Sequence, residues 1–80
     1  MKMNEIIYTD GTREYIPGTL SLTEKQGKVG GLIEYVHLPD GTTMVVNEQG
    51  IINGLNVNKD ASIIADRPIM GTAIITTEIQ

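Results

Sequence analysis

The dipeptide Asp-Gly occurs twice in this chain, at Asp10-Gly11 and Asp40-Gly41, each time between two short runs of strand-forming residues. Asp-Gly flanked by such runs is the strongest short-range hairpin signal, because aspartate and glycine tolerate the positive φ that tight hairpin turns require. Glu5–Thr9 and Thr12–Ile16 therefore read as one hairpin, stopped by Pro17-Gly18. Leu32–Leu38 reads as a central strand, and Thr42–Asn47 as its return after Pro39-Asp40-Gly41. A chain that commits this much of its length to hairpins is expected to form an antiparallel sheet.

Between the hairpins the pattern changes. Ser21-Leu22-Thr23-Glu24 has the form of a capping box. The Ser hydroxyl can accept a free amide of the first turn, and the Glu can reach back to the cap residue's own N–H. A helix from Leu22 to Val29 is expected, with Leu22, Gln26 and Val29 on one face and Leu20 stapling its start. Glu24 and Lys28 form an i,i+4 pair in the favourable order. Gly27 costs such a helix about 1 kcal/mol relative to Ala, so packing must hold it. Gly30 stands where helices commonly end in a left-handed turn. Downstream, Glu48-Gln49-Gly50 reads as a turn and Ile51–Asn53 as a short strand. Gly54–Lys59 reads as a loop, and Ala61–Ala65 as a helical turn capped by Asn58 or Asp60. Ile69–Thr77 reads as a last strand, where Gly71 suggests a bulge. The fold class is thus α+β: a small antiparallel sheet of about five strands, packed with one short helix and a second helical turn.

Eighty residues suffice for one domain at most, spanning 1–80, and bury only roughly 60–65% of their unfolded surface. With no Phe, Trp or Cys, the core cannot draw on large rings or disulfides. Small domains often offset this by oligomerising, so a homo-oligomer is expected. The lack of cysteine excludes a disulfide scaffold and a thiolate zinc site. No run of 18 apolar residues is present to span a bilayer, and Met1–Glu5 lacks the apolar core of a signal peptide. The expected setting is the cytoplasm, away from membranes. The net charge of −4, with Lys and Arg scattered singly, gives no basic face for duplex nucleic acid.

The ordered motifs Val29-Gly30-Gly31-x-Ile33-Glu34, Asn47-Glu48-x-Gly50, Gly54-Leu55-x-x-Asn58-Lys59 and Gly71-Thr72-x-Ile74-Ile75 resemble domain-of-unknown-function family 3846. The resemblance covers nearly the whole chain, and its specificity lies in the order and spacing of short motifs. The family pattern looks like a hairpin, a short helix ending in Val-Gly-Gly, a meander with Asn-Glu-x-Gly, and a Gly-Leu-Pro-x-Asn-Arg loop. This chain departs from it at Asn56, where the family often has Pro, and at Lys59, where it often has Arg. Lysine keeps the charge but loses bidentate hydrogen bonding. The resemblance implies a phage or mobile-element setting. Small proteins there often interfere with host defence, one route being to bind and hoard a nucleotide immune signal.

Gly30-Gly31 follows the helix, whereas phosphate cradles place their glycines before one. A phosphate loop or dinucleotide fingerprint is therefore rejected, and no cofactor is expected. Asn47 at the head of Asn47-Glu48-Gln49-Gly50 is either turn chemistry or an amide that reads a base edge or ribose. Asn56, Asn58 and Lys59 form either a capped loop or a polar binding rim. Tyr8, Tyr15 and Tyr35 suit half-buried sheet positions, or one of them could stack on a base. The lone His37 lacks neighbours at metal-ligand spacing, so no metal is expected. Glu34 and Glu48 could meet across strands as a carboxylate pair, but nothing in their spacing demands catalysis. The expected function is non-catalytic sequestration of a small anionic ligand, a cyclic nucleotide among the candidates. Asn47, Glu48, Asn56, Asn58 and Lys59 would contact it, with Arg67 or Arg13 from a neighbouring chain. The alternatives are a protein–protein inhibitor of a host defence enzyme, working through a sheet edge or acidic face, and a hydrolase acting on the same signal.

Overall fold

The computed structural model describes residues 3–77; Met1 and Lys2, part of the segment read above for a leader, lie outside them. Among the described residues the order is β1 (Met3–Ile7), β2 (Arg13–Pro17), α1 (Leu22–Val29), β3 (Ile33–His37), β4 (Thr43–Asn47), α2 (Lys59–Ala65) and β5 (Ala73–Thr76). The strands form one antiparallel sheet in the order β2-β1-β5-β4-β3. The α+β class and the antiparallel sheet are as the sequence implied.

Both hairpins close in the same way. The Tyr8 amide donates to the Thr12 carbonyl at 2.9 Å and Gly11 N–H to the Tyr8 carbonyl at 3.1 Å, with Leu38, Thr42 and Gly41 repeating these distances. Each loop thus has three residues and ends in a left-handed glycine, φ +89° at both Gly11 and Gly41, the geometry of a hairpin with a glycine bulge. In each loop the aspartate accepts from a threonine two residues on. Asp10 takes the Thr12 hydroxyl at 2.6 Å and its amide at 2.9 Å, and Asp40 takes the same groups of Thr42 at 2.6 and 3.0 Å.

Helix α1 has the expected capping box: Glu24 N–H donates to the Ser21 hydroxyl at 3.1 Å, and Ser21 N–H to the Glu24 carboxylate at 2.9 Å. Gly30, at φ +84°, ends the helix, and the amides of Gly30 and Gly31 both reach the Gln26 carbonyl. The buried face differs from the one expected. Lys25 and Val29 point inward, while Leu22 stays exposed; Leu20 is buried and supplies the apolar anchor before the cap.

The two helices lie on opposite faces of the sheet. Val45 and Ile74 join Ile6, Leu20 and Val29 in one core. Their neighbours Met44, Val46 and Ala73 join Ala61 and Ile69 in another. Successive strand residues point to opposite faces, so α1 covers one side and α2 the other. All five residues of β4 are buried as a result. Strands clothed on both faces read as consecutive apolar residues, and Ile6-Ile7, Met44-Val45-Val46 and Ala73-Ile74-Ile75 mark the three inner strands.

Three expectations are corrected. The Leu32–Leu38 segment is an edge strand, because β5 takes the centre of the sheet. Ile51–Asn53 forms turns: bracketed by Gly50 and Gly54, it is too short to span a ladder. The last strand begins at Ala73, with Met70 contributing a lone bridge to Val57. Gly71 precedes that strand at φ +85°, and a Cβ there would lie 2.8 Å from Leu55 Cδ1.

Candidate ligand-binding site

Where β4 ends, the chain turns through Glu48–Gly54 and leaves a hollow between that turn and the segment after α2. Gly50 makes the close approach possible: a Cβ there would sit 2.9 Å from the Met70 carbonyl oxygen. The resulting cavity of about 350 Å³ is lined on its polar side by Glu34, Asn47, Glu48, Gln49 and Arg67. Ile51, Ile52, Pro68 and Met70 supply the apolar wall. Ile51 and Ile52 are 71% and 82% exposed, an unusual position for adjacent aliphatic side chains. Arg67 is held at the rim by Glu34 alone among the ion pairs of the described residues, at 3.5 Å and with both side chains well exposed. Such a pair contributes about 0–1 kcal/mol, so an incoming anion can take the guanidinium at little cost.

The structure brings together three of the expected residues, Asn47, Glu48 and Arg67, and Arg67 comes from the same chain as the other two. Glu34, considered above only as a carboxylate partner for Glu48, lines the same cavity. Asn47 is itself committed to the fold: its amide donates to the Val29 carbonyl at 3.1 Å and its oxygen accepts from Gln49 N–H at 2.8 Å. It fastens the turn to the end of α1 and shapes the cavity floor.

The other expected residues lie elsewhere. Asn58 is fully buried. Its amide donates to the carbonyls of Ile7 at 2.8 Å and Gly71 at 2.9 Å, while its oxygen caps α2 through Ala61 N–H at 3.1 Å. All its principal hydrogen-bonding capacity is spent, so it cannot serve a ligand. Lys59 borders a hollow of about 230 Å³ beside Asp60 and the first hairpin turn. Asn56 borders another of about 270 Å³ beside Lys28 and Gly30. Arg13 donates to Glu5 at 2.8 Å and meets Asp60 at 3.5 Å, and Tyr15 donates to the same Glu5 oxygen at 2.9 Å. Burial pushes the Glu5 carboxyl up, but the Arg13 and Tyr15 hydrogen bonds and the Arg13 charge together hold it below its ordinary range. Arg13 thus anchors β1, β2 and α2.

Sequence reasoning missed the apolar wall. Its signal was the aliphatic pair Ile51-Ile52 set between turn residues, where no strand could bury it.

A family model described as a domain of unknown function, DUF3846, matches residues 3–80. The chain belongs to the DUF3846 family. No curated protein and no solved structure matches it. The Asn-Glu-x-Gly motif of the DUF3846 chain, Asn47–Gly50, is the segment that forms the cavity floor and turn. Among the described residues no group of three or more His, Asp or Glu side chains is gathered to hold a metal ion, and no helix is long and apolar enough to cross a membrane.

Proposed function

We propose that this DUF3846 protein binds a small nucleotide-type ligand in the Arg67 cavity and sequesters it without catalysis. The observation that carries the reading is a loosely held guanidinium facing an exposed aliphatic wall across about 350 Å³, within the size range of small-molecule sites. Arg67 presents a planar fork suited to a phosphate. Ile51, Ile52 and Met70 offer a surface for a flat base. Glu34 and Glu48 offer acceptors of the kind that hold ribose hydroxyls. One cation against two carboxylates suits a ligand of low charge, a monophosphate or cyclic nucleotide, rather than a polyphosphate. In the phage or mobile-element setting that the family resemblance implies, such binding would withdraw an immune signal from the host cytosol.

Calorimetric titration against nucleoside monophosphates, cyclic mononucleotides, cyclic dinucleotides and ADP-ribose tests this. At least one ligand is expected to bind in the micromolar range, and Arg67→Ala to weaken it roughly 10- to 100-fold, the loss of a charge-assisted hydrogen bond worth about 1.5–3 kcal/mol. If the wild-type protein binds none of these tighter than millimolar, the reading fails.

The exposure of Ile51 and Ile52 also favours a second reading, in which the same rim docks on a protein of the host and inhibits it. A stoichiometric protein partner recovered from host lysate, lost on Ile52→Asp and indifferent to Arg67→Ala, would select that reading.

A further inference from the structure

We propose that the free edge of β3 pairs with the β3 edge of a second copy, in antiparallel register about Tyr35, to give a two-fold dimer with a continuous ten-stranded sheet.

The direction of the backbone groups follows from the ladder. Leu38 N–H donates to the Thr42 carbonyl and Glu48 N–H to the Leu32 carbonyl. Antiparallel pairs alternate between bonded and non-bonded, so Glu34 and Val36, opposite Val46 and Met44, bond inward to β4. The N–H and C=O groups of Ile33, Tyr35 and His37 point away from the sheet. Among the described residues no strand lies beyond them.

The opposite edge of the sheet is blunted, and this one is not. On β2 the outward residues are Arg13, Tyr15 and Pro17. Pro17 has no N–H to offer, and the side chains of Arg13 and Tyr15 are both drawn to Glu5. Proline and charge are the usual means of protecting an edge. Between Ile33 and His37 there is no proline and no lysine or arginine. An edge whose outward-bonding residues, Ile33, Tyr35 and His37, include no proline, lysine or arginine is a template for pairing.

A second copy fits that template because the register is self-complementary. Centred on Tyr35, each Ile33 faces His37 of the other copy and the two Tyr35 residues face each other, which engages every outward group of both edges. Glu34 then stands opposite Val36 of the other copy. Slipping the register one way sets Glu34 directly against Glu34, and like charges facing across a ladder are destabilising. Slipping it the other way brings Pro39 opposite Ile33 and loses a donor. Tyr35 is 37% exposed and its ring is backed by Lys25, whose Nζ lies 5.5 Å from the ring centroid. The facing pair of rings covers that surface, as aromatic cross-strand pairs do. The cavity-lining Glu34 lies on this strand, so both cavities open on the same face, one on each side of the axis. An isologous interface of this kind closes as a dimer and does not propagate.

Sedimentation equilibrium of the whole chain at about 100 μM, where mass action favours assembly, is expected to give twice the 8.7 kDa chain mass. Tyr35→Pro removes an outward N–H that β4 does not use, and should yield a monomer with an unchanged far-ultraviolet circular dichroism spectrum. Tyr35→Lys places like charges on the axis and should raise the dimer dissociation constant at least tenfold. That variant carries the test if the proline variant does not fold. Tyr15→Lys on the other edge should leave the mass unchanged. A wild-type monomer at this concentration, or a dimer indifferent to Tyr35→Lys, would overturn the proposal. The dimer goes beyond the ligand reading and does not rest on it: a monomer that binds nucleotide sinks only the dimer, and a dimer that binds none sinks only the ligand.

Discussion

Replacing Asn58 by alanine should remove a large share of this protein's stability, although Asn58 is not apolar and does not line the Arg67 cavity. Its side chain joins three segments far apart in sequence: the end of β1 at Ile7, the start of α2 at Ala61, and Gly71 before β5. Truncation removes the helix cap, at about 1 kcal/mol. It also strips a donor from two carbonyls in a site that water does not reach, at about 1 kcal/mol each, and leaves a void. The sum is roughly 3–4 kcal/mol against a total stability of roughly 4–12 kcal/mol for a chain of this size. At 4–8 °C per kcal/mol the midpoint should fall by roughly 12–30 °C. Thermal melts followed by circular dichroism read this directly. Asn58→Ser separates the contributions, because serine keeps a cap oxygen but is too short to bridge Ile7 and Gly71. It should recover only about 1 kcal/mol of the loss. If Asn58→Ala costs less than about 1 kcal/mol, or if Asn58→Ser restores wild-type stability, the bridging role assigned here is wrong.

Two glycines should respond in opposite directions. Gly71→Ala forces a side chain to φ +85° and against Leu55 Cδ1, and should destabilise by about 1–3 kcal/mol. Leu55→Ala in that background relieves the contact but not the backbone strain. Gly27→Ala meets open space in a helix interior and should stabilise by about 0.5–1 kcal/mol; equilibrium urea unfolding distinguishes the signs. The carboxyls of Asp10 and Asp40 are held below their ordinary range, chiefly by the hydroxyls of Thr12 and Thr42 and also by their amides. A group whose folded pKa is depressed contributes stability that is present above its unfolded value and lost as pH falls through the folded one. Both hairpins should therefore weaken together on acidification below the ordinary aspartate range. Carbon-detected NMR titration should show both midpoints low, each returning toward normal in Thr12→Val or Thr42→Val; midpoints unmoved by these changes would refute the assignment.

The elements most legible in the sequence are those whose chemistry is local. The two Asp-Gly loops, the Ser21–Glu24 capping box and the Gly30 stop each satisfy their hydrogen bonds within about five residues, and each forms where it was expected. The candidate site was half legible. Asn47-Glu48 stood out as a polar turn and Arg67 as a candidate cation, but their meeting depends on the Gly50–Met70 approach between segments about twenty residues apart. Ile51-Ile52 resembled a strand because two β-branched residues carry that propensity in isolation. Their exposure depends on there being no ladder for them to join.

The sequence by itself determined the hairpins, the capped helix, the α+β class and the family, because these rest on short-range backbone chemistry and on ordered motifs. It misplaced the middle strand, pointing to Leu32–Leu38, although the paired apolar residues of β1, β4 and β5 carry the mark of burial on both faces. The tertiary structure decided that β5 divides the hairpins, that the helices take opposite faces, and that Asn58 is a buried bridge while Arg67 faces a cavity. Those outcomes depend on which distant groups a side chain meets. An asparagine in a loop has the same local chemistry whether it waits for a ligand or binds three segments of its own chain.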